Sequence, residues 1–288
     1  LTEKGPYLIG DINAKQYGTA AGYWRLRGTN LGLDSRYLRL DAGVQGRQGY
    51  FIEYDQFPDF ENDTGSTPFL SPGSNNLRLP AGFTIDQVDR FLLPFEQKTE
   101  RKRLGLGAKF LFKRRWELDG SFHQETKQGT DWIGGSMGPL EEERLMEKTT
   151  GALLPEPIDQ TTTEFDAALE YNGDKSQLRF TFHGSLFDND NERLRWAEPG
   201  FPTGGPGPGP GPGGPQLPEY GQLALPPDNS FFQLGVSAST LVGETTRLTG
   251  LLSAGLMQQD EDFLPYGTSN TLGDPPRSSL DGEVYVYS

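Results

Sequence analysis

The stretch Phe165-Asp166-Ala167-Ala168-Leu169-Glu170-Tyr171-Asn172-Gly173-Asp174-Lys175-Ser176-Gln177-Leu178-Arg179-Phe180-Thr181-Phe182-His183-Gly184-Ser185-Leu186 reads as two alternating segments around a short polar turn. Phe165, Ala167, Leu169 and Tyr171 share one side of the first segment, and Asp166, Ala168 and Glu170 share the other. Beyond the turn, Leu178, Phe180, Phe182, Gly184 and Leu186 alternate with Arg179, Thr181, His183 and Ser185. Side chains alternate at period two along a strand, so each segment has one oily and one wet face. A water-soluble sheet shows the same alternation, and one hairpin therefore decides nothing.

Repetition decides it. Leu104, Leu106, Ala108, Phe110 and Phe112 lead through Lys113-Arg114-Arg115 to Trp116, Leu118, Gly120 and Phe122, with Glu117, Asp119, Ser121 and His123 on the opposite side. Phe232, Leu234, Val236 and Ala238 lead through Gly243-Glu244-Thr245 to Leu248, Gly250, Leu252, Ala254 and Leu256. A weaker pair, Tyr37 to Ala42 and Tyr50 to Tyr54, turns at Val44-Gln45-Gly46-Arg47. These segments approach the roughly 9 to 11 residues that a tilted strand needs to cross a bilayer.

Short turns fall near residues 45, 114, 174 and 244, and the connections at 56–100, 124–161, 188–229 and 258–281 are all long. One rim of tight turns and one of long excursions is the pattern of an all-β, antiparallel, up-and-down transmembrane barrel, with short periplasmic turns and long extracellular loops. About ten strands are visible. Residues 1–18 read as an amino-terminal periplasmic segment, and 19–288 as a partial transmembrane β-barrel whose carboxy-terminal strands are missing. Leu1 is not an initiator Met, so any secretory leader is expected to have been removed or to lie upstream, and Asp281 to Ser288 begins an alternating strand and stops inside it, so an open, curved sheet is expected of this chain alone.

Composition agrees. With 38 Gly, 22 Pro, no Cys and only short apolar runs, the chain offers no transmembrane helix. A net charge of −14 speaks against nucleic-acid binding and fits a solvated acidic loop surface.

Particular residues narrow the family. The run Gly22-Tyr23-Trp24-Arg25-Leu26-Arg27-Gly28-Thr29-Asn30-Leu31-Gly32-Leu33-Asp34-Ser35-Arg36, followed by Gly46-Arg47 and Tyr54-Asp55-Gln56-Phe57-Pro58, resembles the opening of the MtrB/PioB family of decahaem-associated outer-membrane barrels. Similar stretches follow in order: Glu125-Thr126-Lys127-Gln128-Gly129-Thr130, Leu154-Pro155-Glu156-Pro157-Ile158-Asp159, Pro227-Asp228-Asn229, Arg247-Leu248, Met257-Gln258-Gln259-Asp260 and Phe263-Leu264-Pro265-Tyr266. Certain relatives carry a CxxC near the amino terminus, and this chain has none.

The resemblance implies an outer-membrane sheath that holds a periplasmic multihaem c-type cytochrome in its lumen, for extracellular electron transfer. An extracellular multihaem cytochrome is a further partner, and outer-membrane lipid surrounds the wall. The alternation makes Glu117, Asp119, His123, Glu164, Asp166, Glu170, Arg179, Thr181 and His183 candidate lumen-facing contacts for that partner.

The chain itself is expected to bind no cofactor and to catalyse nothing. Covalent c-type haem needs C-x-x-C-H and iron–sulfur clusters need several thiolates, whereas this sequence has no Cys. Haem is then the partner's. His123 and His183 are the only imidazoles, and a polar lumen-facing residue is the plain reading of both. No G-x-S-x-G, H-E-x-x-H or P-loop occurs, and Gly105-Leu106-Gly107 lies within a strand, where glycine marks packing or curvature.

Two loops stand out. The Gly-Pro repeat at 201–215 reads as an exposed insertion with polyproline character, and Asp188-Asn189-Asp190-Asn191-Glu192 offers oxygen ligands to Ca²⁺ without a full twelve-residue loop. A general or substrate-specific diffusion porin is the alternative function, because a polar lumen serves both.

Overall fold

Each alternating segment pairs with its neighbours in one antiparallel sheet, in which the period-two pattern becomes two chemically opposite faces. The computed structural model describes residues 8–83, 85–137, 150–198, 220–259, 261, 264 and 282–287. In chain order the strands are β1 Gly10–Tyr17, β2 Gly22–Leu31, β3 Tyr37–Val44, β4 Gln48–Thr67, β5 Asn76–Leu77, β6 Leu93–Phe112 and β7 Trp116–Met137. They continue as β8 Thr150–Asn172, β9 Ser176–Asn189, β10 Arg193–Ala197, β11 Tyr220–Ala224, β12 Asn229–Val242, β13 Thr246–Gln259 and β14 Gly282–Tyr287. Eleven form the large sheet, in the order β1-β2-β3-β4-β6-β7-β8-β9-β12-β13-β14, which does not close on itself. β5, β10 and β11 form a separate three-stranded sheet. Among the described residues no helix is long and apolar enough to cross a membrane.

Register carries the apolar face across the sheet. One transverse row runs Ala14, Leu26, Leu40, Ile52, Leu106, Phe122, Phe165, Gly184, Phe232 and Leu256, each opposite the next. The row two residues nearer the short turns includes Tyr50, Ala108, Gly120, Ala167, Phe182 and Leu234. A one-residue slip of β3, β4, β7, β8 or β9 would insert charged and polar side chains into this band, so the pattern locks their pairing. Phe180, Leu234 and Leu252 are 42%, 64% and 66% exposed, and in water such a continuous patch would be a liability. Hydrocarbon removes that liability. Near the short-turn rim Phe112 stacks on Trp116 at 6.4 Å and Trp116 meets Tyr171 at 5.0 Å, an aromatic girdle of the kind found at a bilayer interface.

The turns explain the tight rim. Loops 45–47, 113–115 and 243–245 each join paired strands, and Gly46 and Gly243 supply the left-handed residue with φ of 71°. In the second loop Lys113 and Arg114 take that conformation without glycine, at φ of 51° and 58°.

Three features differ from the sequence expectation. The segment read as a periplasmic lead-in contributes β1 at Gly10–Tyr17, an eleventh strand paired with β2. The link between β2 and β3, residues 32–36, is short although it lies on the long-loop rim. β4, β6, β7 and β8 run for 20, 20, 22 and 23 residues, so much of 56–100 and 124–161 is ladder rather than loop. Past the apolar band these extensions are rich in Thr, Gln and charge on both faces, which hides them from a hydropathy reading. Along the extensions β4 pairs with β6 and β7 with β8, so one edge of each stays hydrogen-bonded beyond the apolar band.

The long-loop rim also holds a conventional core. Phe69, Leu77, Leu154, Leu194, Trp196 and Leu225 are buried together, with β5, β10 and β11 packed on the ends of β7 and β8. Gly135 and Gly221 make room, since a Cβ at either would collide with Leu154 or the Trp196 ring respectively. Leu154 has the parity of Glu164 and Asp166 along β8, so this small cap sits on the sheet's polar face. Within the connection read as a calcium-type loop, the amide of Asn189 donates to Asp228 at 2.7 Å, and its side chain donates to the carbonyl of Pro226 at 2.9 Å. These groups tie the cap's exit to β12. The Gly-Pro repeat lies outside the described residues, as does most of 258–281.

Candidate functional site: the polar face of the wall

The face opposite the apolar band is concave. A single hollow is bounded by Tyr23 on β2 and Arg179 on β9, with five strands between, which requires the sheet to curl toward that side. Its residues are charged but mostly satisfied by one another. Arg39 on β3 lies 2.9 Å from Asp41 and 2.6 Å from Glu53, while Arg27 reaches Asp41 at 3.4 Å. The Arg39 guanidinium also rests 4.2 Å over the Phe51 ring, and Phe51 stacks on His123 at 6.2 Å.

All nine candidate contacts lie on this face. Glu117 pairs with Lys109 at 2.5 Å, Glu170 with Arg179 at 3.2 Å, and Glu164 with Arg103 at 3.5 Å across β7. His183 Nδ1 is 2.8 Å from Asp166, and His123 Nε2 is 3.5 Å from Glu53. Asp119 sits between Lys109 and Ala168 in the register, and Thr181 between Ala168 and Gly235. The structure thus joins seven of these residues into ion pairs and does not gather the nine into one catalytic cluster. Among the described residues no group of three or more His, Cys, Asp or Glu could hold a metal.

Sequence reading missed half of the network. Arg39, Asp41 and Glu53 come from the weaker amino-terminal hairpin and Arg27 from β2 beside it, Arg103 precedes the alternating run of β6, and Lys109 reads only as lying opposite that run's apolar side. The parity of their strands was the available signal. Gly105 and Gly107 take a packing role: a Cβ on Gly105 would lie 2.7 Å from both Glu53 and His123, and one on Gly107 would strike Phe51. Gly235 likewise accommodates Thr181, whose Oγ1 would be 2.5 Å from a Cβ there. Small residues let the larger side chains lie flat along the wall.

Comparison with known proteins agrees with this architecture. Residues 1–287 match the family described as an outer membrane beta-barrel porin, MtrB/PioB. The chain is 26% identical over 265 residues to the outer membrane protein MtrB of Shewanella baltica (strain OS185), covering 88% of this chain and 34% of that protein. It therefore spans about a third of that relative's length. Among solved structures, the trimer form of OmpT from Vibrio cholerae aligns with a TM-score of 0.39 at 8% identity, over 99% of this chain and 72% of that one. The closed form of the ferric-catecholate import receptor Fiu from E. coli K12 aligns with a TM-score of 0.45 at 9% identity, over 96% of this chain and 45% of the receptor. An apolar band, a girdle, a self-paired polar face and a family match over almost every residue lead to one assignment: this chain is an outer-membrane β-barrel protein of the MtrB/PioB family.

Proposed function

We propose that this wall is a non-enzymatic sheath for a multihaem c-type cytochrome, which it holds across the outer membrane so that electrons pass through the partner's haems. One observation carries the reading. The charges of the polar face are spent largely on each other, and Gly105, Gly107 and Gly235 let neighbouring side chains lie over the strands, which leaves a concave, polar and largely self-neutralised surface. A protein occupant needs that kind of surface: wettable and nearly neutral locally. The family relationship supports the same partner class.

Haem itself fits the partner and not this chain. There is no Cys for covalent attachment, and both imidazoles are engaged, His183 with Asp166 and His123 with Glu53 and Phe51. The wall's own contribution is position and insulation, and it requires every strand edge in the hydrocarbon to be paired.

The test uses the full-length protein. Purified alone, it is expected to lack haem absorbance and to leave an external acceptor oxidised when liposomes enclose a reductant. Purified with its cytochrome, the complex should reduce that acceptor. In cells, deletion should abolish extracellular electron exchange and leave uptake of small solutes unchanged. The reverse pattern, with solute uptake lost and electron exchange intact, establishes the diffusion porin instead.

A further inference from the structure

The self-pairing of luminal charge fails at one corner. Arg25 on β2 faces Lys15 on β1 directly, and like charges opposite one another destabilise a strand pair. Its other cross-strand neighbour, Asp41 on β3, is already engaged by Arg27 and Arg39. Arg47, in the turn between β3 and β4, lines the same open hollow of about 480 Å³ as Arg25, Tyr17 and Tyr23, and the two carboxylates that also line it are engaged elsewhere, Asp41 by Arg27 and Arg39 and Glu117 by Lys109. Among the described residues Lys15, Arg25 and Arg47 form no ion pair, and Tyr17 stands opposite Tyr23, both lining the hollow with Arg25 and Arg47. On β7 and β8, by contrast, four of the five candidate carboxylates, Glu117, Glu164, Asp166 and Glu170, have a basic or imidazole partner within ion-pair distance.

We propose that the cationic corner formed by Lys15, Arg25 and Arg47, flanked by Tyr17 and Tyr23, docks a carboxylate-bearing patch on the protein that occupies the lumen. The inference rests on the sheath reading and adds to it an orientation: the occupant turns an acidic surface toward β1 and β2 at the short-turn end. Charge complementarity selects this occupant. The cations are spread over two strands and a turn, which matches an extended acidic surface better than a single small anion. Guanidinium groups fork onto carboxylates, and phenol hydroxyls beside them donate further hydrogen bonds. An anionic partner would also relieve the Lys15–Arg25 repulsion, so the corner is held in readiness by the fold and is completed on binding.

The test compares complexes of full-length protein with the multihaem cytochrome that co-purifies with it. R25E/R47E should assemble into the membrane, because its changes lie on the luminal face, yet bind the cytochrome at least about tenfold more weakly. Lys175→Glu, a charge reversal at the same rim but on the β8–β9 turn, should bind like the wild type. R25Q/R47Q removes charge without reversing it and should weaken binding by a smaller factor, which keeps the test informative if the double glutamate variant assembles poorly. Raising ionic strength from about 0.05 M to about 0.5 M should weaken the wild-type complex more than the R25Q/R47Q complex. Unchanged affinity in R25Q/R47Q together with an unchanged salt response overturns the docking corner and leaves the sheath standing. A wild-type protein that carries no cytochrome at all overturns the sheath itself.

Discussion

The membrane wall and the small cap at its long-loop rim bury apolar side chains in opposite senses. In the wall Phe180, Leu234 and Leu252 point away from the protein, and the polar residues face inward. In the cap Leu77 and Leu194 are fully buried and Trp196 nearly so, with Arg195 laid over the Tyr220 ring at 4.0 Å near the surface. One chain thus follows two rules, because two solvents meet it. Lipid is the apolar environment for the wall, and the cap must build its own.

The largest effect expected from this contrast is topological. On intact cells a cysteine at Asp63, in the extended end of β4, should label with an impermeant maleimide, whereas cysteines at Gln45 and Glu244 should stay protected until the cells are opened. Equal labelling at both ends would break the two-rim arrangement.

Next in size is Trp196→Ala. Truncating a buried aromatic costs about 3–5 kcal/mol, and that loss should appear as faster proteolysis and hydrogen exchange of β5, β10 and β11. Barrel assembly should be unaffected, since the cap core lies beyond the apolar band. Phe180→Arg does the opposite: a charge near mid-bilayer on the lipid face costs about 2–4 kcal/mol and should lower the yield of assembled protein. Thr181→Arg, one residue away, should assemble at close to the wild-type yield, because Gly235 opposite leaves room for the longer side chain. If the Phe180 and Thr181 variants assemble equally, the face assignment or the membrane location is wrong, and a lower yield for the Thr181 variant would mean that the two faces are exchanged.

The smallest effect concerns pH at the base of the cap. Glu156 is pushed above its ordinary value, first by burial and then by Asp131 directly opposite on β7, with Lys127 partly offsetting. A carboxylate raised in the folded state binds its proton more tightly there than in the unfolded chain, so stability falls as pH rises from the unfolded value through the folded one. At neutral pH Glu156→Gln should therefore slow hydrogen exchange modestly in the outer ends of β7 and β8. It should have no effect well below pH 4.5, where the carboxyl is protonated in both states. Slower exchange in the variant at low pH would rule out this origin.

How legible the molecule was follows from the same contrast. Hairpins with an unbroken apolar face, such as Phe165–Tyr171 with Leu178–Leu186, could be read with their register and both faces, because period two is a local property of strand geometry. The acidic members of the luminal set followed directly. Their partners Arg39, Glu53, Arg103 and Lys109 did not, since pairing across strands depends on which rows align, and that is settled by every turn and bulge upstream. β1 was missed because Lys15, Gln16 and Tyr17 weaken its alternation, and it is recognisable only through its ladder to β2.

The amino-acid sequence by itself determined the wall: the strand period, the tight rim, the absence of any thiol chemistry and the family. Each is encoded in neighbouring residues or in composition. Tertiary structure alone decided the length of the strands beyond the lipid, the cap and the cationic corner. Those depend on partners far apart in the chain: β8 extends because β7 does, Leu77 is buried because Trp196 lies beside it, and Arg25 is left without a counter-ion because Arg27 and Arg39 reach Asp41.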